Sequence, residues 1–184
     1  MIAASKRARV LVLGVLAATA TAAYADTADD HFKRGRELLK VGKFREACEQ
    51  FEKSQALDPA LGTQFNIAQC DAETGKLATA LATYREVVAR DTNAARKRAA
   101  TEAIARLEQR VPHLVVHADP GTTVTLAGTS VALDTPVPLD FGSYTLHAVP
   151  RTGAPIDRAI TIDQEGSTAE VSLKAVPVPP PVVP

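Results

Sequence analysis

Two stretches of the chain repeat at an interval of 33 residues and decide its fold: residues 31–59 read HFKRGRELLKVGKFREACEQFEKSQALDP, and residues 64–92 read QFNIAQCDAETGKLATALATYREVVARDT. Small residues align with small ones and aromatic residues with aromatic ones. The aligned pairs are Phe32 with Phe65, Gly35 with Ala68, Gly42 with Gly75, Lys43 with Lys76, Ala47 with Ala80, and Phe51 with Tyr84. Such self-similarity predicts repeated structural units.

Each unit is predicted to be a hairpin of two helices. In unit one, residues 30–41 and 44–57 form the helices, and Gly42-Lys43 forms the turn because glycine readily adopts φ > 0. Asp58-Pro59 ends the unit, since proline cannot continue a helix. Unit two is predicted to place helices at residues 61–74 and 77–90, again around a Gly-Lys turn.

A fifth helix is predicted to follow, capped by Asp91 or Thr92. Its apolar stripe consists of Ala100, Ile104, Leu107 and Val111. The next 33-residue step puts Glu108 and His113 where glycine and alanine are needed, so we expect a helix that closes the array. Its charge run at residues 96–98 is interpreted as a solvated face.

The two units resemble the tetratricopeptide repeat (TPR) family, whose helix pairs stack into an α-solenoid. The residues that carry this resemblance are Gly35, Gly42, Phe44, Ala47, Phe51, Pro59, Ala68, Gly75, Ala80 and Tyr84. The chain departs from the family pattern at His31, where tryptophan is common, at Asn93, where a second proline would fall, and in a unit one residue shorter than about 34.

The resemblance implies a groove for a partner, formed by the first helix of each pair. Mapped onto this chain, the groove residues are Phe32, Arg36, Leu39, Lys40, Phe65, Asn66, Gln69 and Glu73. Of the family's carboxylate-clamp positions only Asn66 matches. The mixed apolar and basic character instead fits an extended peptide or a partner helix.

Short alternating runs rich in Val, Thr and Leu begin after Pro112 and predict a small antiparallel β-sandwich. The expected strands are 114–118, 123–126, 137–139, 143–149, 157–162 and 169–173. This order resembles the PEGA family of extracellular β-modules. The resemblance rests on Pro120-Gly121, Val124, Gly128, Thr135-Pro136, Leu139, Gly142, Tyr144 and Leu146, although Pro120-Gly121-Thr122-Thr123 replaces the run that names the family.

The N-terminus has the pattern of a cleaved signal peptide. Lys6, Arg7 and Arg9 precede the uncharged run Val10–Ala20, and Ala23-Tyr24-Ala25 forms a small-x-small cleavage site. As a helix the run spans roughly 17 Å, too short for a hydrocarbon core of about 30 Å. We therefore expect a protein of the periplasm, cell envelope or exterior, with no integral membrane segment after cleavage.

The predicted organisation is a signal peptide at residues 1–25, TPR-like repeats with the closing helix at 26–111, a PEGA-like domain at 112–175, and a proline-rich tail at 176–184. The fold class is therefore α+β. The tail sequence VPVPPPVVP favours extended polyproline II, interpreted as a linker or terminus.

No pattern for catalysis, a metal or a cofactor emerges from the chain. The charges balance at 21 basic and 21 acidic residues and the aromatic content is 4%, which disfavours nucleic acid as a partner. His113 and His117 share a strand face but lie roughly 13 Å apart, too far to ligate one ion. Asp140-Phe141-Gly142 is interpreted as a turn and not as a kinase metal triplet, since no other kinase motif accompanies it.

The two cysteines leave two alternatives open. Cys48 is predicted on the second helix and Cys70 on the third, so a disulfide between neighbouring helices is feasible in an oxidising compartment. It would contribute on the order of 3 kcal/mol. The alternative is a pair of buried free thiols, because cysteine packs well as a small hydrophobic residue.

The sequence thus predicts a non-enzymatic exported scaffold that binds a protein or peptide in the cell envelope. The alternative is a structural attachment protein, whose β-domain binds wall or surface polymer while the repeats act as a spacer. A third hypothesis is the outer part of a signalling assembly.

Overall fold

The computed structural model describes residues 26–174, in which five helices precede seven strands, confirming the α+β class. The predicted signal peptide at residues 1–25 and the proline-rich tail at 176–184 lie outside the described residues. Each helix has 13 or 14 residues, and none in the described part is long and apolar enough to cross a membrane. The helices are α1 (Ala28–Lys40), α2 (Phe44–Leu57), α3 (Leu61–Glu73), α4 (Leu77–Arg90) and α5 (Ala94–Leu107).

Local signals define the two hairpins. Thr27 and Asp30 form a reciprocal capping box at the start of α1. Gly42 (φ +75°) and Gly75 (φ +87°) make the turns of the two hairpins, in the left-handed region that glycine tolerates. The helix ends therefore agree with the predicted ones to within two residues.

The sequence repeat is also a repeat of contacts. The rings of Phe32 and Phe51 meet edge to face with centroids 5.7 Å apart, and Phe65 and Tyr84 do the same at 5.4 Å. These pairs join the first helix of each hairpin to the second. At Gly35 the close approach leaves no room for a side chain, because a Cβ there would lie 2.8 Å from the Phe51 ring.

The start of α5 differs from the expectation. Its N-cap is Asn93, whose side chain accepts a hydrogen bond from Arg96 N–H at 2.9 Å. The predicted cap Asp91 is instead buried, and it binds the Arg96 guanidinium and the Asn93 N–H. The hydrogen bond from the Arg96 side chain lowers the pKa of Asp91. Arg96 is therefore an ion-pair partner, and the prediction that the whole charge run is solvated is wrong at this residue.

The strands form two sheets that share one hydrophobic core. One sheet has the order β4-β1-β7 and the other β3-β2-β5-β6. Leu114 and Val171 from the first sheet pack in the same cluster as Val124, Leu146 and Ile162 from the second. The strands are β1 (His113–Ala118), β2 (Thr123–Leu126), β3 (Thr129–Ser130), β4 (Val137–Pro138), β5 (Gly142–Val149), β6 (Ile156–Ile162) and β7 (Thr168–Leu173).

The expectation of a purely antiparallel arrangement is wrong at one pairing. Strand β7 runs parallel to β1, from His113 opposite Thr168 to Ala118 opposite Leu173. The turn before β7 is held beside the start of β1. Arg110 binds Glu165 through two hydrogen bonds of 2.9 and 2.7 Å, and Gly166 N–H donates to the Arg110 carbonyl at 2.6 Å. The last strand therefore starts at the same end as the first.

Besides the contacts of Arg110, two residues just before β5 contact the α3–α4 region. These residues, Asp140 and Phe141, are here called the clasp. Asp140 accepts hydrogen bonds from Thr79 N–H at 3.0 Å and from the Thr79 hydroxyl at 2.6 Å, so it caps the start of α4 from 61 residues away. Phe141 N–H donates to the Gly75 carbonyl at 3.0 Å, and the Phe141 ring covers Gly75. The Asp-Phe-Gly triplet leads into β5 and also fastens it to the α3–α4 turn.

Replacing the capping carboxylate should lower stability by a predictable amount. Asp140→Ala is expected to reduce the free energy of unfolding by about 0.5–2 kcal/mol, because α4 loses its side-chain cap. Asp140→Asn keeps an acceptor oxygen and should retain most of that stability. Urea denaturation followed by circular dichroism measures both changes. Asp163→Ala, an exposed aspartate in the β6–β7 turn, is the control; an equal loss there would rule out capping as the cause.

Candidate functional site

The helical region presents a groove lined by the first helix of each hairpin and by α5. One cavity of about 370 Å³ lies between α1, α3 and the start of α5. A second of about 240 Å³ continues along α3 and α5. Phe65 and Ala99 line both cavities, so the two form one continuous surface.

Two aromatic residues hold fixed positions in this groove. Phe32 and Phe65 are both half-buried, and each ring is held edge to face against an aromatic residue of the following helix. Tyr84 supports Phe65 and lines the second cavity, and its burial raises the phenol pKa to about 12, so it remains neutral. A rigid aromatic contact loses little conformational entropy when a ligand binds it.

Six of the eight predicted groove residues line this surface: Phe32, Arg36, Phe65, Asn66, Gln69 and Glu73. The structure places the other two elsewhere. Leu39 packs into the core of the first hairpin with Phe51 and Cys48. Lys40 is exposed at the end of α1 and lies outside both cavities. Both residues lie in the last turn of α1, beyond Phe32 and Arg36, which are the residues of that helix that line the groove.

Sequence reasoning missed the contribution of α5 to the groove. The sequence predicted a closing helix from the buried stripe of α5 and a solvated face from its charge run. A second face lines the cavities with Ala95, Arg96, Ala99, Glu102, Ala103 and Arg106. Alanines at positions 95, 99 and 103, four residues apart on one helix face, were the available signal.

The polar groups of the groove include donors and charges of both signs. Arg36 projects from α1 and Arg106 from α5, while Glu73 and Glu102 supply carboxylates. Asn66 is fixed by donating from Nδ2 to the Gly62 carbonyl at 2.7 Å, which leaves its oxygen as an acceptor. The surface can thus bind apolar side chains and pair with a peptide backbone or an acidic group.

The cysteines form a disulfide, Cys48–Cys70, which joins α2 to α3 and so links the two hairpins. Of the two alternatives left open by the sequence, the structure has the bridge. Asp71 lies beside it, with Oδ1 3.8 Å from Cys48 Sγ and 3.1 Å from Lys76 Nζ. Burial raises the pKa of the Asp71 carboxyl, although the Lys76 ammonium acts in the opposite direction.

The histidines lie apart from the groove and from this cluster. His31 contacts Gln50 at 2.8 Å, His117 pairs with Asp134 at 2.6 Å, and His147 pairs with Asp157 at 2.6 Å. His113 and His117 share the outer face of β1, as expected, opposite Thr168 and Ser172 of β7.

No protein-family model matches this chain. No curated protein matches its sequence significantly either.

Proposed function

We propose that this chain is a non-enzymatic scaffold that binds a protein or peptide partner in the groove between α1, α3 and α5. The observation that carries this proposal is the continuous groove with two fixed aromatic rings, Phe32 and Phe65, beside charged side chains from three helices. Aromatic and arginine side chains in a concave surface are typical anchors of protein interfaces.

The proposed architecture is a pair of TPR-like units closed by α5, followed by a PEGA-like β-sandwich. The repeated ring pairs Phe32–Phe51 and Phe65–Tyr84 and the glycine turns at Gly42 and Gly75 support the first part. The shared core of the two sheets supports the second. In the proposed sandwich, β1 and β7 pair in parallel and the other paired strands are antiparallel.

The proposed partner is an extended peptide or an amphipathic helix with apolar side chains and at least one acidic group. Phe32 and Phe65 would contact its apolar side chains, while Arg36 and Arg106 would pair with the acidic group. Glu73 and Glu102 in the same groove would disfavour a uniformly acidic ligand, which adds specificity.

The proposed location is the periplasm or the outside of the cell envelope. The signal-peptide pattern of residues 1–25 supports this location. The disulfide between α2 and α3 also supports it, because structural disulfides persist in oxidising compartments.

Charge reversal in the groove tests the proposal. A photo-crosslinking residue at Gln69 in the full chain should capture the partner, whose affinity is then measured with the purified proteins. Arg36→Glu is expected to weaken binding about tenfold or more, since it places a like charge against the partner's acidic group. Lys40→Glu should have little effect, because Lys40 lies outside the groove.

Arg34→Glu is the matched control for this experiment. It makes the same charge change on the same helix, two residues from Arg36 and on the opposite side from Phe32. Equal losses for Arg34→Glu and Arg36→Glu would show that net charge, and not the groove, governs binding, and would reject the proposal.

A second candidate function is attachment to wall or surface polymer through the β-region. It is favoured by the outer face of the β3-β2-β5-β6 sheet, which is rich in hydroxyl groups: Thr123, Thr125, Ser143, Thr145 and Thr161. A row of hydroxyl groups can hydrogen-bond a glycan. Thr125→Val with Thr145→Val should abolish retention on purified envelope polymer if this candidate holds, whereas Arg36→Glu should not change it.

A further inference from the structure

The disulfide forms part of the wall of a surface cavity. This cavity of about 330 Å³ lies between α2 and the α3–α4 turn and is lined by Cys48 together with Arg45, Glu49, Glu52, Thr74 and Lys76. Cys48 is 5% exposed, whereas Cys70 is fully buried. Of the two cysteines only Cys48 lines the cavity, so a small molecule that enters it reaches Cys48 before Cys70.

A buried carboxyl group lies beside the bridge. The Asp71 side chain is only 4% exposed, its Oδ1 lies 3.8 Å from Cys48 Sγ, and one of its carboxylate oxygens and the two sulfurs all lie within 4.8 Å of one another. The groups that act on this carboxyl are Lys76 from the α3–α4 turn, Glu52 from α2 and Asp140 from the clasp. Burial and the two other carboxylates favour the protonated acid, and Lys76 favours the anion.

We propose that Cys48, Cys70 and Asp71 form a thiol–disulfide exchange site that takes small-molecule thiols from the cavity. The thiolate of the incoming molecule attacks Cys48 Sγ and forms a mixed disulfide with it. The Cys48–Cys70 bond breaks, and its electron pair stays on Cys70 Sγ. The Asp71 carboxyl gives its proton to that sulfur, so the products are a mixed disulfide at Cys48, a neutral Cys70 thiol and an Asp71 carboxylate.

A second thiolate completes the exchange. It attacks the sulfur of the small molecule in the mixed disulfide, and the two small molecules leave as a symmetric disulfide. Cys48 is released as a thiolate and takes a proton from solvent. The small-molecule thiol is thereby oxidised by two electrons in all, and the protein bridge is reduced.

The surroundings of the two sulfurs explain why Asp71 is needed. Cys70 is fully buried, and a thiolate that forms there without a proton would carry an unsolvated charge. The charge that proton transfer leaves on Asp71 is instead placed 3.1 Å from the Lys76 ammonium. The Ile67 carbonyl lies 3.2 Å from Cys70 Sγ and can accept a hydrogen bond from the thiol once the bridge is open.

Opening the bridge would affect the groove. The first hairpin supplies Phe32 and Arg36 to it, and the α3 residues in the small core of that hairpin are Cys70 and Ile67. Exchange at Cys48 would therefore loosen one wall of the groove. The exchange itself does not depend on the groove having a partner.

The experiment treats the folded, oxidised full chain with reduced glutathione and quenches it with acid at intervals. Peptide mapping should first find glutathione on Cys48. In wild-type protein the exchange rate should rise with pH less steeply than the glutathione thiolate fraction does, because the protonated fraction of Asp71 falls as the pH rises. Asp71→Asn should react about tenfold more slowly near pH 7 and then accelerate about tenfold per pH unit, as thiolate attack alone does.

Asp163→Asn, in the β6–β7 turn, serves as the control and should keep the wild-type rate and pH profile. The proposal is overturned if glutathione appears first on Cys70, or if Asp71→Asn keeps the wild-type pH profile. It is also overturned if wild-type exchange is no faster than global unfolding measured under the same conditions. This last comparison and the peptide map use wild-type protein alone, so they decide the question even if Asp71→Asn fails to fold.

Discussion

Phe51→Ala is expected to lower the free energy of unfolding by about 3–5 kcal/mol, the range for removing a fully buried phenylalanine. Phe51 has no exposed surface, and its ring contacts Phe32 from one side and the backbone of Gly35 from another. The core of the first hairpin is small, so the cavity left by the ring has few side chains that could fill it. Denaturation followed by circular dichroism measures the loss.

Phe44→Ala is the matched control, because Phe44 lies on the same helix but is only half-buried. Its cost should be clearly smaller. If the two substitutions cost the same, the first hairpin is not organised around Phe51.

A double-mutant cycle with Gly35 sharpens this test. Gly35→Ala places a Cβ 2.8 Å from the Phe51 ring and should be destabilising in the wild-type background. In the Phe51→Leu background the same substitution should cost less, since the ring that it meets is gone. Additive effects would show that the cost of a side chain at Gly35 does not come from its approach to the Phe51 ring.

Removal of the disulfide has the second-largest expected effect. Cys48→Ala with Cys70→Ala should lower the free energy of unfolding by about 3 kcal/mol relative to the oxidised protein, because the unfolded chain regains the entropy of a loop that spans 22 residues. Alanine leaves no unsatisfied polar group at these buried positions. Urea denaturation with and without a reducing agent measures the difference.

Reduction supplies the internal check on that result. Reduced wild-type protein should lie within about 1 kcal/mol of the double alanine variant, and the variant should not respond to the reducing agent. If the oxidised wild type and the variant were equally stable, the first hairpin would be held to α3 by packing alone, and the disulfide would have no role in stability.

Much of the fold follows from local rules. The glycine at each helical turn, Asp58-Pro59 after α2 and the 33-residue alignment of small and aromatic residues define four helices to within two residues. The alternation of apolar residues in β1, β2 and β5 likewise determines which side chains are buried. These features depend on backbone preferences and on periodicity, and both are specified by residues that are close together in the sequence.

The groove was only partly predictable, because local preferences and periodicity do not specify how the helices pack. Phe65, Asn66 and Gln69 were implied by the resemblance, which assigns the groove to the first helix of each pair, and the structure places them on the groove surface. Arg106 does not, because its place in the groove depends on how α5 crosses α3. Leu39 shows the converse: its spacing fits the groove face, but packing against the first hairpin draws it into the core.

The sequence by itself determined the helical hairpins and the positions of six of the seven strands; it missed the two-residue strand β3, and its groove residues on α1 and α3 came from the family resemblance. Only the tertiary structure decided the pairing of Cys48 with Cys70, the parallel course of β7 beside β1, and the capping of α4 by Asp140 from 61 residues away. The physical reason is range. Hydrogen bonds, disulfides and ion pairs between residues far apart in sequence depend on how whole helices and strands pack against one another. Burial of the shared hydrophobic cores sets that packing.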